Sequence, residues 1–327
     1  MIFRQTNKQQ GDFDMQKFSC KLFLLTILFI FGIISVSQAV PMLPSDQPIF
    51  FQFTNMEQID QSLTNSINVP GGYGTAGNWG LFHLSSMVIG GAIPNPPNDD
   101  IQGGGVDVID FDGPGGTVGS VTGIFYGINL IDGFTANGGS MDFYWNEPAN
   151  DIFDQNSTNG VTYDPNAAAV AAFTAGTFLG RIDFTSGIET GDPNVFLRSN
   201  SDVTTTSGLS GFSDAFGDVN TSVVGAWTDA LNGNWFYTDE DGDGNRGEAG
   251  EIHDIRFSTF FNALADWDGV DDIDTDGDGE SDTPSIRGLR SNDPGRAYTA
   301  VIPEPTTFFL FGAGLLGFAG VMRRKSS

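Results

Sequence analysis

Asp239, Asp241 and Asp243 stand at alternate positions, and Gly244 follows. One tight turn with that spacing aims three hard oxygen ligands at a single point, which suits a calcium ion. Glu248 and Glu251 follow as candidate closing ligands. A second cluster repeats the spacing with Asp274, Asp276, Asp278 and Asp282, and Asp266, Asp268, Asp271 and Asp272 lie just upstream. Clustered carboxylates repel one another unless a cation neutralises them. The expected role of the ion is structural, and weak sites suffice, since extracellular calcium modules work at about 10⁻⁴ to 10⁻³ M. The alternative is a pair of solvated acidic loops.

The first cluster resembles an EF-hand loop in part. Its positions 1, 3, 5 and 6 match, but position 12 is Gly250, where the resemblance implies a bidentate glutamate. The preceding residues Asn234, Trp235, Phe236 and Tyr237 read as strand, so the loop is expected inside a β domain instead of between two helices. The second cluster is similar to a thrombospondin type 3 calcium repeat, with Ser285 at its position 12.

Other chemistry has less to stand on. The chain has two histidines, His83 and His253, too few for a convergent zinc site. No nucleophile elbow, His-Glu-x-x-His motif or phosphate-cradling loop is present. The chain reads as a non-enzyme, although a pair of carboxylates could serve a carbohydrate-active enzyme and the spacing does not name the pair. Tyr73, Trp79, Trp145, Trp227, Trp235 and Trp267 are candidate platforms for sugar rings or, equally, core residues. Between residues 40 and 302 there are 38 acids against 7 bases, all arginine, in a chain whose net charge is −27. Such a field repels nucleic acid and attracts divalent cations.

These loops need a scaffold. Apolar runs at 49–53, 79–89, 106–111, 118–130, 139–145, 178–184, 195–197, 223–227, 235–237 and 255–261 alternate with clusters of Gly, Asn, Asp and Ser. Short strands separated by turn signals predict an all-β body, an antiparallel β-sandwich with long acidic Gly-rich loops. Residues 166–174 alone read as helix, and 287–299 as a last strand or a stalk. The body is expected to span residues 40–300.

Both ends carry export signals. Lys17 and Lys21 precede an apolar run at 22–34, and Ser37-Gln38-Ala39 closes it as a small-x-small site, predicting cleavage after Ala39 of a signal peptide spanning 1–39. Met15 is an alternative start. The single cysteine, Cys20, falls inside that segment, so the mature body has no disulfide. At the other end, Pro303-Glu304-Pro305 leads into an uncharged run at 306–322, followed by Arg323, Arg324 and Lys325. Seventeen helical residues reach roughly 25 Å, the short end of a transmembrane helix, and the terminal charges favour the cytoplasmic side.

This tail, residues 301–327, resembles the PEP-CTERM sorting signal of Gram-negative bacteria. The resemblance implies recognition by an exosortase, a membrane enzyme that processes the chain near the Pro-Glu-Pro. It also implies export through the inner membrane and a membrane-anchored intermediate, then a place at the cell surface or outside it, linked to exopolysaccharide and biofilm. The expected role is structural or adhesive. The alternatives are a calcium-dependent carbohydrate-binding module and a carbohydrate-active enzyme.

Overall fold

A computed structural model describes residues 40–73, 76–90, 107–111, 119–147, 166–205, 210–263 and 286–300. The chain divides into two units, Met1–Pro41 and Met42–Ser327. The signal segment, its cleavage residue Ala39, the second acidic cluster and the whole sorting tail lie outside the described residues. Among the described residues no helix is long and apolar enough to cross a membrane.

The strands are β1 (Pro48–Asp60), β2 (Asn78–Ile89), β3 (Asp107–Asp110), β4 (Ser120–Leu130), β5 (Thr135–Asn137), β6 (Ser140–Asn146), β7 (Thr177–Thr185), β8 (Leu197–Ser199), β9 (Ser210–Val219), β10 (Phe236–Tyr237), β11 (Ile252–His253), β12 (Ile255–Ala263) and β13 (Ile286–Tyr298). Two short helices join them, α1 (Ala167–Phe173) and α2 (Thr228–Leu231). The order β2-β1-β13-β12-β9-β7-β6-β4 returns to β2 through the β2–β4 pairing, so eight antiparallel strands close into a barrel. The all-β antiparallel expectation therefore holds, but the sheet closes on itself where a sandwich would separate into two.

The residues inside the ring show why closure suits this sequence. Phe53 of β1 packs against Phe82 of β2, Phe143 of β6 and Phe257 of β12, with ring centroids 5.5, 6.0 and 6.1 Å apart. Strands from opposite walls thus share one aromatic axis. Glycines opposite the rings make the space. A Cβ built on Gly123 of β4 would lie 2.3 Å from the Phe82 ring, and one on Gly295 of β13 would lie 2.6 Å from Phe53. Large rings facing bare backbone fill a narrow lumen to interior density.

One outer wall is also buried. Trp79 and Leu81 of β2 and Ile124 and Tyr126 of β4 point away from the lumen into a second cluster with Ile67, Val69, Ala169, Val170 and Phe173. Helix α1 covers that wall. Its N-cap Asn166 accepts hydrogen bonds from the N–H groups of Ala168 and Ala169 at 3.0 and 2.9 Å. Two-sided burial accounts for the unbroken apolar character of residues 79–82, which lack the polar alternation of a half-exposed strand.

Strand β13 is a central strand and no stalk: it pairs with β1 from Pro48↔Tyr298 to Asp60↔Ile286, and with β12 on its other side. Residues 223–227, read as strand, instead lead into α2, and Trp227 closes that end of the barrel beneath Phe51, ring centroids 6.2 Å apart. Strand β9 falls outside every apolar run of the sequence. The chain enters and leaves at the same end, where the Thr299 N–H donates to the Gln47 carbonyl at 2.9 Å and the Ala300 N–H to the Ala230 carbonyl at 2.9 Å.

Candidate functional site

The first acidic loop spans the turn of a small hairpin, with β10 and β11 paired Phe236↔His253 and Tyr237↔Ile252. Strand flanks, not helices, therefore carry it. Two further bonds tighten the neck: the Thr238 N–H donates to the Glu251 carbonyl at 2.9 Å, and the Gly247 N–H to the Thr238 carbonyl at 3.0 Å. Within the loop the Gly244 N–H donates to Asp239 Oδ2 at 3.2 Å, and the Asp243 N–H to Asp241 Oδ1 at 3.1 Å. Gly244 sits at φ +90°, a conformation that favours glycine at this turn.

That turn brings Asp239, Asp241 and Asp243 together, each offering a carboxylate oxygen within 4.8 Å of the others. Asp239 Oδ1 is buried and accepts no hydrogen bond, an orphaned acceptor on the first residue of the cluster. A buried oxygen of this kind costs free energy unless a partner satisfies it. The charge of Asp243, then burial, then Asp241 and neighbouring acids hold the Glu248 carboxyl above its ordinary value. Glu248 therefore feels the same field as the three aspartates. The donor set is all oxygen and anionic, the chemistry calcium takes.

Glu251 has a different position from the one its spacing implied. Its Oε1 accepts the Glu240 N–H at 2.8 Å, and its Oε2 accepts the Glu248 N–H at 3.1 Å. Burial opposes its ionisation, yet the N–H groups of Glu240, Glu248 and Asp241 together outweigh that and hold its pKa below the usual carboxylate range. Glu251 thus ties the loop to its own neck, while Asp239, Asp241 and Asp243 converge and Glu248 feels their charge. Asp274, Asp276, Asp278 and Asp282 lie outside the described residues.

The hairpin is seated on the barrel by a buried polar knot. His253 is buried, with Nδ1 3.1 Å from Thr185 Oγ1 and 3.3 Å from Asp218 Oδ1, and Nε2 3.2 Å from Thr238 Oγ1. Asp254 accepts the N–H groups of Val219 and Asn234 at 2.9 and 2.8 Å, while burial pushes its carboxyl up to about 6. Trp235 stacks on Tyr298 with ring centroids 3.9 Å apart.

Four of the six candidate sugar platforms are core residues. Trp79, Trp145, Trp227 and Trp235 are all buried, and Trp267 lies outside the described residues. Tyr73 packs on Tyr126, with ring centroids 4.9 Å apart. A Trp235→Ala change would test stability before it tested any ligand.

One acidic side chain escaped the sequence reading. Glu57 of β1 shares the inward phase of Phe51, Phe53 and Ile59, and its Oε1 accepts a hydrogen bond from Ser291 Oγ at 3.0 Å. It borders two lumen cavities. The signal that would have found it is a charge at a core position of an alternating strand, visible only once β1 is read past residue 53.

The sorting residues Pro303, Glu304, Pro305, Arg323, Arg324 and Lys325 lie outside the described residues, so their assignment rests on comparison. A family model, the PEP-CTERM protein-sorting motif, matches residues 301–325. No curated protein and no solved structure matches the chain. The matched motif implies processing by an exosortase-type membrane enzyme and agrees with export. The chain therefore carries a PEP-CTERM protein-sorting motif over residues 301–325.

Proposed function

We propose that the chain is a structural or adhesive component of an extracellular matrix of exopolysaccharide and biofilm, in which a calcium-braced β-barrel is delivered to a Gram-negative cell surface by exosortase processing. The observation that carries this reading is the sorting motif matched at 301–325, directly after the last barrel strand. The barrel supports it physically. Because both termini of the body leave from one end, locked by the Thr299–Gln47 bond, cleavage at either end removes chain without breaking a barrel strand. Calcium braces the β10–β11 hairpin through Asp239, Asp241 and Asp243, in a mature body that has no cysteine.

A carbohydrate-binding module gains no platform from the described tryptophans, which are buried. A glycosidase needs two facing carboxylates, and the described lining of the lumen supplies one, Glu57. The structural role is therefore preferred.

Intact mass and terminal peptides of the protein from its native host test the reading. The expected form starts at Val40 and ends near Pro303. A form that keeps Arg323 to Ser327 would mean a plain membrane anchor and would overturn sorting-type processing.

A further inference from the structure

The barrel is not filled along its whole length. Toward the end remote from the chain termini, the phenylalanine axis gives way to two cavities of about 60 Å³ each. Both are lined by Glu57, Ile128, Leu197 and Ser213, so they meet around the Glu57 carboxyl. Ile59, Leu130, Phe261 and Leu289 make the first cavity's wall predominantly apolar. Among the described lining residues Glu57 is the single titratable group.

A carboxylate has room for about four hydrogen bonds, and among the described residues Glu57 receives one, from Ser291. Glu57 keeps part of its surface open, onto this space. Apolar side chains stand at the mouth: Phe134, which lines the first cavity, is 46% exposed, and Ile131 is 45% exposed. Asn65 donates to the Leu130 carbonyl at 3.1 Å, holding the turn that carries the exposed Leu63 against the same rim.

We propose that this lumen is a binding site for a small linear alkylamine, its ammonium on the Glu57 carboxylate and its chain along Ile59, Ile128, Leu130 and Leu197. Size, wall and charge each point the same way. A water needs about 10–15 Å³ of such space, so one cavity takes a chain of roughly four to six heavy atoms. An apolar wall takes the methylenes, and a lone acid open to the cavity takes a cation that donates three hydrogen bonds. Burial alone pushes the Glu57 carboxyl up to about 7, against the Ser291 bond, so an ammonium supplies the counter-charge that the lumen withholds. A body with 38 acids against 7 arginines draws cations toward the mouth.

Calorimetric titration of the full-length protein in excess calcium, at pH 8, tests this with n-pentylamine, 1-pentanol and pentanoate as probes. The expected result is saturable binding of one pentylamine per chain, with pentanol weaker by about tenfold or more and pentanoate silent. Glu57→Gln should lose about tenfold or more of the pentylamine affinity while keeping its fold. Ser213→Leu, which fills the space shared by the two cavities, should abolish binding of both amine and alcohol. Equal pentylamine binding by E57Q, equal binding of pentanol and pentylamine by the native protein, or no saturable heat with any probe would each overturn the proposal, the last leaving a water-filled void.

Discussion

Glu57 shows what one residue can say that its neighbours in sequence cannot. Its carboxyl titrates near 4.5 in an unfolded chain and is pushed up to about 7 in the barrel, first by burial and against the Ser291 bond. Burial disfavours the charged form, so the folded state holds its proton longer than the unfolded state. Below the unfolded value both states are protonated and the group leaves stability unchanged. Between about pH 4.5 and 7 the unfolded chain ionises first, stability falls with rising pH, and above 7 the loss is constant. Glu57→Gln should remove that dependence, adding about 3 kcal/mol above pH 7 and little at pH 4. Urea unfolding of both proteins across that range checks it, and a pH-independent difference would disprove the account. The aspartates of the acidic hairpin loop were legible because a tight turn is written in contiguous residues. Glu251 was legible as a residue but not in its role: its bonds to the Glu240 and Glu248 amides depend on how the hairpin neck folds back. Glu57 was invisible because its neighbours come from Ser291, more than two hundred residues away.

At the scale of elements, the failures share one cause. Strand β9 gives no apolar run in the sequence because its lumen-facing residues are small: Gly211, Ser213, Ala215 and Gly217. A Cβ on Gly217 would lie 2.6 Å from Ile182, so the barrel needs a bare position there, and the hydrophobic pattern of the strand disappears with it. The outer phase holds Phe212 and Phe216, separated by Asp214, too sparse to signal a strand. The same logic separates barrel from sandwich. Strand positions are local, but closure is a property of which strand returns to which, and no run of residues states that β4 pairs with β2. The rings and glycines of the lumen are the molecular record of closure. Gly123→Ala tests this directly, since the added Cβ would meet the Asp142 carbonyl at 2.1 Å and the Phe82 ring at 2.3 Å. The first contact is with backbone, which cannot swing aside, so a loss of about 3 kcal/mol is expected. Phe82→Leu should recover part of that loss by vacating the ring's space. A Gly123→Ala protein as stable as the parent in chemical unfolding would mean that the lumen is looser than its rings and glycines imply.

For the whole molecule the governing quantities are charge and the absence of disulfides. Both were plain from the sequence, as was the sorting tail, because each is a matter of composition or of one contiguous segment. A chain at −27 repels itself when compact, and the acidic hairpin loop concentrates that repulsion where Asp239, Asp241 and Asp243 converge within 4.8 Å. Calcium could stabilise such a protein in two ways, by general screening or by filling this loop, and the two make different predictions. Screening acts through ionic strength, so magnesium at the same concentration would do as well, and losing one carboxylate would change little. Site binding follows mass action: for a dissociation constant of about 10⁻⁴ M, 10 mM calcium adds roughly 2.7 kcal/mol, or about 5 to 10 °C in Tm for a body of this size. Asp241→Asn separates them. Asp241 is exposed, so without calcium the variant should melt at the parent's temperature or slightly above it, one repelling charge being gone. With calcium the parent should rise and the variant should not, while EDTA should bring the two together. If magnesium raises the parent equally, or if Asp241→Asn keeps the full calcium shift, the loop is a solvated acidic turn and the ion acts on the charge of the whole barrel.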